Sequence, residues 1–68
     1  MTMNAFITTN KGTTRCINAD HYDHIYDVIM GITDGDHEIS ADAASWCELA
    51  SAGETYEFRE GIIQIKEA

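Results

Sequence analysis

The sequence contains no proline and only five glycines in 68 residues. Disordered linkers are usually enriched in both, so a folded domain is expected. There are two cysteines, Cys16 and Cys47. That is too few for the disulfide framework of a small secreted scaffold, so both thiols are expected to be reduced unless a metal holds them. No apolar run approaches the roughly 20 residues that cross a bilayer. The opening MTMNAFITTN has neither a basic n-region nor a continuous apolar h-region, so no signal peptide is expected and the cytoplasm is the expected address. Also missing are a glycine-rich phosphate loop and a nucleophile elbow, and a domain this small has little room for a concave pocket. The chain is not expected to be an enzyme.

Basic residues are scarce. Four Lys and Arg face twelve Asp and Glu, a formal net charge of -8. The imbalance is uneven: residues 1–19 hold Lys11 and Arg15 without an acid, whereas residues 20–60 hold eleven acids and Arg59 alone. Such a field disfavours direct binding of nucleic acid or membranes and steers the protein toward a basic surface on a partner. Solubility alone is the plainer reading of an acidic surface.

What is present organises into one domain over residues 1–68. NAFITTNKGTTRCIN predicts a hairpin, with strands near 3–9 and 13–18 and Asn and Gly in the left-handed positions of the turn. DHYDHIYDVIMG fits a helix better than a strand: Asp20 would cap it, Gly31 would end it, and Tyr22, Ile25, Tyr26 and Ile29 fall on one face. TDGDHEI reads as a turn. SADAASWCELASAG predicts a second helix capped by Ser40, ended before Gly53, with Ala43, Trp46, Cys47 and Ala50 inward. TYEFREGIIQIKEA predicts a second hairpin bending near Glu60 and Gly61. The order is β-β-(α)-α-β-β, an α+β domain with a four-stranded, mostly antiparallel sheet backed by helix.

Two constellations could carry function. On a helix, His21 and His24 lie one turn apart, close in sequence to Cys16, with Cys47 a fourth donor from the second helix. Two thiolates and two imidazoles suit tetrahedral zinc, and a metal would brace a core this small. Asp23 and His37 are the substitute ligands. Against this, Cys-x4-His-x2-His is not a zinc-finger spacing, Cys47 serves equally well as a small buried hydrophobe, and helix-start histidines can simply face water. DGDHE at 34–38 alternates like a calcium loop, but Ile39 stands where the loop needs glycine and Ser45 where it needs glutamate, so an acidic turn is expected. The second constellation is the base-free acidic set Asp20, Asp23, Asp27, Asp34, Asp36 and Glu38, which would present several carboxylates together to a basic groove. Glu54, Glu57, Glu60 and Glu67 form a second acidic group.

The stretches HYDHIYDVI and ISADAASWCELASAGETYEF, set in a reduced, acidic β-β-α-β-β chain, resemble the small anti-CRISPR proteins carried by phages and mobile elements of Firmicutes. The chain is most similar to the type II group that inhibits Cas9, which includes a zinc-containing member with this strand order. The resemblance implies a non-enzymatic inhibitor that binds Cas9, at the recognition lobe rather than the PAM-reading region, and blocks loading of target DNA. It supplies no contact map, so the acidic set alone defines the expected interface. The other readings are a small zinc- or thiol-stabilised interaction module that binds a host regulator, and a self-associating accessory phage protein. An exposed Trp46 beside Leu49 would favour a hydrophobic interface.

Overall fold

The computed structural model describes residues 3–67. The elements follow in the order β1 (Met3–Thr9), β2 (Thr14–Asn18), α1 (Tyr22–Ile32), α2 (His37–Leu49), β3 (Thr55–Phe58) and β4 (Gly61–Glu67). The fold is α+β: one antiparallel sheet in the order β2-β1-β4-β3, with both helices contributing to a single core. The two hairpins are joined side by side through β1 and β4, in a register that sets Ala5 opposite Ile65 and Ile7 opposite Ile63.

Alternation along the strands fixes which face is covered. Ala5, Ile7, Ile17, Ile63 and Ile65 are buried, whereas Phe6, Cys16 and Gln64, side by side in the register, belong to the other face. On that open face the Lys66 ammonium lies 5.0 Å from the centre of the Phe6 ring. α1 supplies Ile25, Val28 and Ile29 to the core, at the i, i+3, i+4 spacing of one helical face. α2 supplies Ser40, Ala43, Ala44 and Cys47. Its inward residues are all small, so its axis can lie close to its neighbours. Trp46 is half-buried and packs on Tyr56 of β3, ring centres 5.3 Å apart.

Local hydrogen bonding explains where the element ends differ from the sequence expectations. Asp20 does not cap α1. Its N–H donates to the Asn18 side chain (2.8 Å), and the His21 N–H donates to the Asn18 carbonyl. The chain therefore turns one residue longer, and His21 takes the cap position without a side-chain cap bond. Gly31 does not end the helix but lies within it. The end is set by Thr33, whose hydroxyl donates to the Ile29 carbonyl (2.8 Å), followed by Asp34 and Gly35, both left-handed. The Gly35 N–H then donates to the Met30 carbonyl (2.9 Å), the long bond of a Schellman-type ending.

Ser40 is likewise not a cap. α2 begins a full turn earlier because Asp36 accepts from the Ile39 N–H at 3.0 Å. Ser40 is buried, and its hydroxyl donates to the Asp36 carbonyl at 2.7 Å. In the first hairpin Gly12 is left-handed, whereas no Asn has a positive φ.

Two glycines should respond oppositely to substitution. A Cβ on Gly61, which faces β1 in the core, would run into the Thr8 carbonyl oxygen and lie 3.1 Å from the Thr9 Cα. Gly61→Ala is expected to destabilise by about 1–3 kcal/mol, as overpacking does. Gly31 has open space around its Cβ position within a helix, and Gly31→Ala should stabilise by about 0.5–1 kcal/mol. Urea unfolding of both variants checks the pair, and two shifts of the same sign would contradict it.

Candidate functional site

The helices and their flanking turns carry the charge. Between Asp20 and Leu49 the chain has eight carboxylates and no Lys or Arg. Asp23 and Asp27 are exposed one turn apart on α1, and Glu38 and Asp42 are exposed one turn apart on α2. Asp20 and Asp34 are exposed on the turns before and after α1, and Glu48 is exposed in the last turn of α2. Like charges at i, i+4 weaken a helix by about 0.2–0.5 kcal/mol per pair, and an acid in a last turn opposes the helix dipole. Helix stability therefore does not account for this arrangement. Among the described residues the one ion pair joins Arg59 and Glu60 at 2.6 Å in the β3–β4 turn, so no Lys or Arg neutralises the helical carboxylates.

Five of the six acids expected to form an interface are exposed, and the sixth has a structural duty: Asp36 is half-buried and caps α2. Asp42 and Glu48 extend the layer beyond that set. The signal for them was the uninterrupted absence of bases through residue 49, rather than the density of acids before residue 39. Leu49, 88% exposed, stands at the end of the same helix. Between the helices the Tyr26 hydroxyl and His37 Nδ1 lie 2.6 Å apart, and Tyr22 stacks on Tyr26.

The proposed zinc donors do not converge. His21 and His24 are both exposed at the start of α1. Cys16 is exposed on the open face of the sheet, opposite Phe6, while Cys47 is 2% exposed on the covered side. A sheet separates the two sulfurs, so a tetrahedral Cys16–His21–His24–Cys47 site does not fit this arrangement. The substitute ligands do not close the gap: Asp23 is exposed on α1, and His37 is engaged with Tyr26. Among the described residues no group of three or more His, Cys, Asp and Glu side chains is placed to hold a metal. No helix among them is long and apolar enough to cross a membrane.

The two thiols differ chemically. Burial pushes the Cys47 thiol up to about 11 from 9.0. Tyr56 is also raised, first by desolvation and then by Asp42 and Cys47. Because the folded Cys47 holds its proton more tightly than the unfolded one, its contribution to stability is complete below pH 9 and is lost as pH rises toward about 11. In the native protein a thiol reagent should therefore modify one cysteine rapidly, Cys16, and the other only on unfolding. Peptide mapping after brief alkylation checks this, and early labelling of Cys47 would contradict it.

The placement of the four metal donors generates a second expectation. Unfolding curves with and without EDTA should superimpose, and His24→Ala should change stability by no more than about 0.5 kcal/mol, as for an ordinary surface site. Co-purified stoichiometric zinc with a large loss of stability in EDTA would contradict it. In comparisons with known proteins, no family model, no curated protein and no solved structure matches this chain.

Proposed function

We propose that the acidic helical layer is a docking surface for a protein whose own surface is basic and binds nucleic acid. The chain acts as a non-enzymatic inhibitor by occupying that surface. The observation that carries this reading is the run of eight carboxylates without a base on two helices and their turns, of which Asp36 has a capping duty and the exposed i, i+4 pairs Asp23–Asp27 and Glu38–Asp42 oppose helix stability. Carboxylates spaced along two helices offer a basic groove a substitute for a phosphate backbone, and their field speeds encounter with it. The resemblance to the type II anti-CRISPR proteins makes Cas9 the partner to test first, in a bacterial cytoplasm, with blocked loading of target DNA as the consequence.

A second reading rests on Leu49. A leucine left 88% exposed at the end of α2, one turn from the half-buried Trp46, is an apolar contact point, which suits a small interaction module that binds a host regulator.

Salt and charge reversal separate the two readings. Binding to guide-loaded Cas9 is expected to weaken about 100-fold or more between 0.1 and 0.5 M salt, because screening shortens the reach of surface charge. Asp23→Lys combined with Asp27→Lys is expected to weaken it further with no loss of folding, whereas Leu49→Ala should leave it unchanged. Calorimetry or surface binding against Cas9, beside a DNA-loading assay, provides the readout. No binding at low salt would sink the Cas9 reading, and salt-independent binding lost in Leu49→Ala would replace it with the second.

A further inference from the structure

The sheet ends on two strands, β2 on one side and β3 on the other, and only one of them is guarded. β3 is four residues long, with exposed Glu57 within it and exposed Glu54 just before it. Short length and charge are ordinary protections of an edge against pairing with another chain. β2 contains no acid and no proline, and its register with β1 runs unbroken from Thr14 to Asn18. The Thr9 N–H donates to the Thr13 carbonyl and the Ala19 N–H to the Met3 carbonyl. Residues 13, 15, 17 and 19 therefore turn their backbone groups toward β1, and those of Thr14, Cys16 and Asn18 point outward. On that side the Asn18 carbonyl accepts from the His21 N–H (3.1 Å), while Thr14 and Cys16 have no backbone partner among the described residues.

Charge is polarised along this edge. Lys11 and Arg15 lie at its start, where residues 1–19 hold no acid, and Asp20 and Asp23 follow its end, where residues 16–58 hold no Lys or Arg. All four side chains are exposed, and none makes an ion pair among the described residues. Lys11 and Arg15 line a cleft of about 510 Å³ between the β1–β2 turn, the last turn of α1 and the β3–β4 turn. The Asn10 side chain donates to the Arg59 carbonyl (2.9 Å), so the second hairpin braces the basic end of the edge. A strand whose two ends carry opposite charge is complementary to itself when turned antiparallel.

We propose that β2 pairs antiparallel with β2 of a second copy about a two-fold axis at Cys16, joining two sheets into one. A register centred on Arg15 would set that residue against its own copy, and like charges directly opposite are destabilising. Centring on Cys16 sets Cys16 opposite Cys16, Thr14 opposite Asn18 and Arg15 opposite Ile17 of the second copy, so each outward N–H and C=O meets a partner. It also brings Lys11 of each copy beside the Asp20 turn of the other. β3 offers no such match, since its exposed charges, Glu54 and Glu57, are both acids and Arg59 is already paired with Glu60. A contact this short gives a weak, reversible dimer, and the net charge of -8 on each copy opposes it at long range. The pairing uses the sheet edge rather than the helical layer, so it stands or falls independently of the acidic-layer reading.

Sedimentation equilibrium of the full chain at physiological salt is expected to fit a monomer–dimer scheme, with a dissociation constant on the order of 100 µM. Asp20→Lys is the decisive variant. It lowers the net negative charge, which alone would favour association, yet it sets Lys against Lys11 and should weaken the dimer about 3–10-fold. Adding Lys11→Glu to it should restore the wild-type constant, and Asp27→Lys, the same change of charge on the helical layer, should not weaken the dimer. Thr14→Pro removes an N–H that β1 does not use, and should leave a monomer with an unchanged circular dichroism spectrum. Copper phenanthroline in air should link two chains through Cys16, since residues directly opposed in this way lie about 5.5 Å apart at Cα, within disulfide reach. In a Cys16→Ser background, Thr14→Cys should link far more slowly alone than together with Asn18→Cys. A monomer at every concentration, association strengthened by Asp20→Lys or undiminished in Thr14→Pro, or oligomers that grow without closing would each overturn the proposal.

Discussion

One apolar sheet face governs this molecule. Ala5, Ile7, Ile17, Ile63 and Ile65 present it, and a chain of 68 residues has material for one layer of helix to cover it. Both helices must turn their apolar residues toward that face, α1 with branched side chains and α2 with small ones. Every charged residue on 20–49 except the half-buried cap Asp36 is then left on the solvent side. The acidic layer is thus a geometric result of the core: with no second layer above the helices, their polar faces have nowhere else to go.

The covering arrangement also sorts charge by element. The two hairpins carry all four bases, and the helices with their turns carry none. Neither helix has a basic residue in its last turn, where one would favour the dipole, and each has an acid in its first turn. The molecule therefore offers two electrostatic surfaces, a broad negative one above the helices and a small positive concavity at the turns. An approaching partner meets the first at long range and the second only on contact, because two cations are outweighed at a distance by a net charge of -8.

Much of this was legible in the sequence, for reasons that differ by element. The hairpins were plain because β-branched residues alternate on either side of turn residues, and both strand pairs form where that pattern places them. The helices were legible as elements but not at their ends. Asp36 and Ser40 are both good caps in the same sequence context, and what decides between them is tertiary: Ser40 is needed inside the core, where its hydroxyl can only bond back to the Asp36 carbonyl. Gly31 read as a stop, yet glycine is tolerated inside a helix, and the stop lies with the left-handed pair Asp34 and Gly35. The acidic layer was readable as composition, except for Asp36, whose capping role no charge count reveals. Cys16 and Cys47 looked like partners because sequence spacing says nothing of which face of a sheet a strand residue takes, and one residue of register separates Cys16 from the buried Ile17. The cleft was invisible beforehand, since it joins turns that lie far apart in the chain.

The pairing of β1 with β4 has a consequence for how the protein is made. The centre of the sheet joins Met3–Thr9 to Gly61–Glu67, so its ladder closes across nearly the whole described chain. During synthesis the first hairpin and both helices leave the ribosome while one edge of β1 is still unpaired and Ile7 lacks its β4 neighbour, Ile63. Until β4 emerges, that edge is a template for any other extended segment, including another nascent copy. Loop closure on this scale delays the final step of folding relative to the local hairpins and helices. The interval in which the chain is exposed to chaperones, proteases and its own neighbours is therefore set by the last strand to appear.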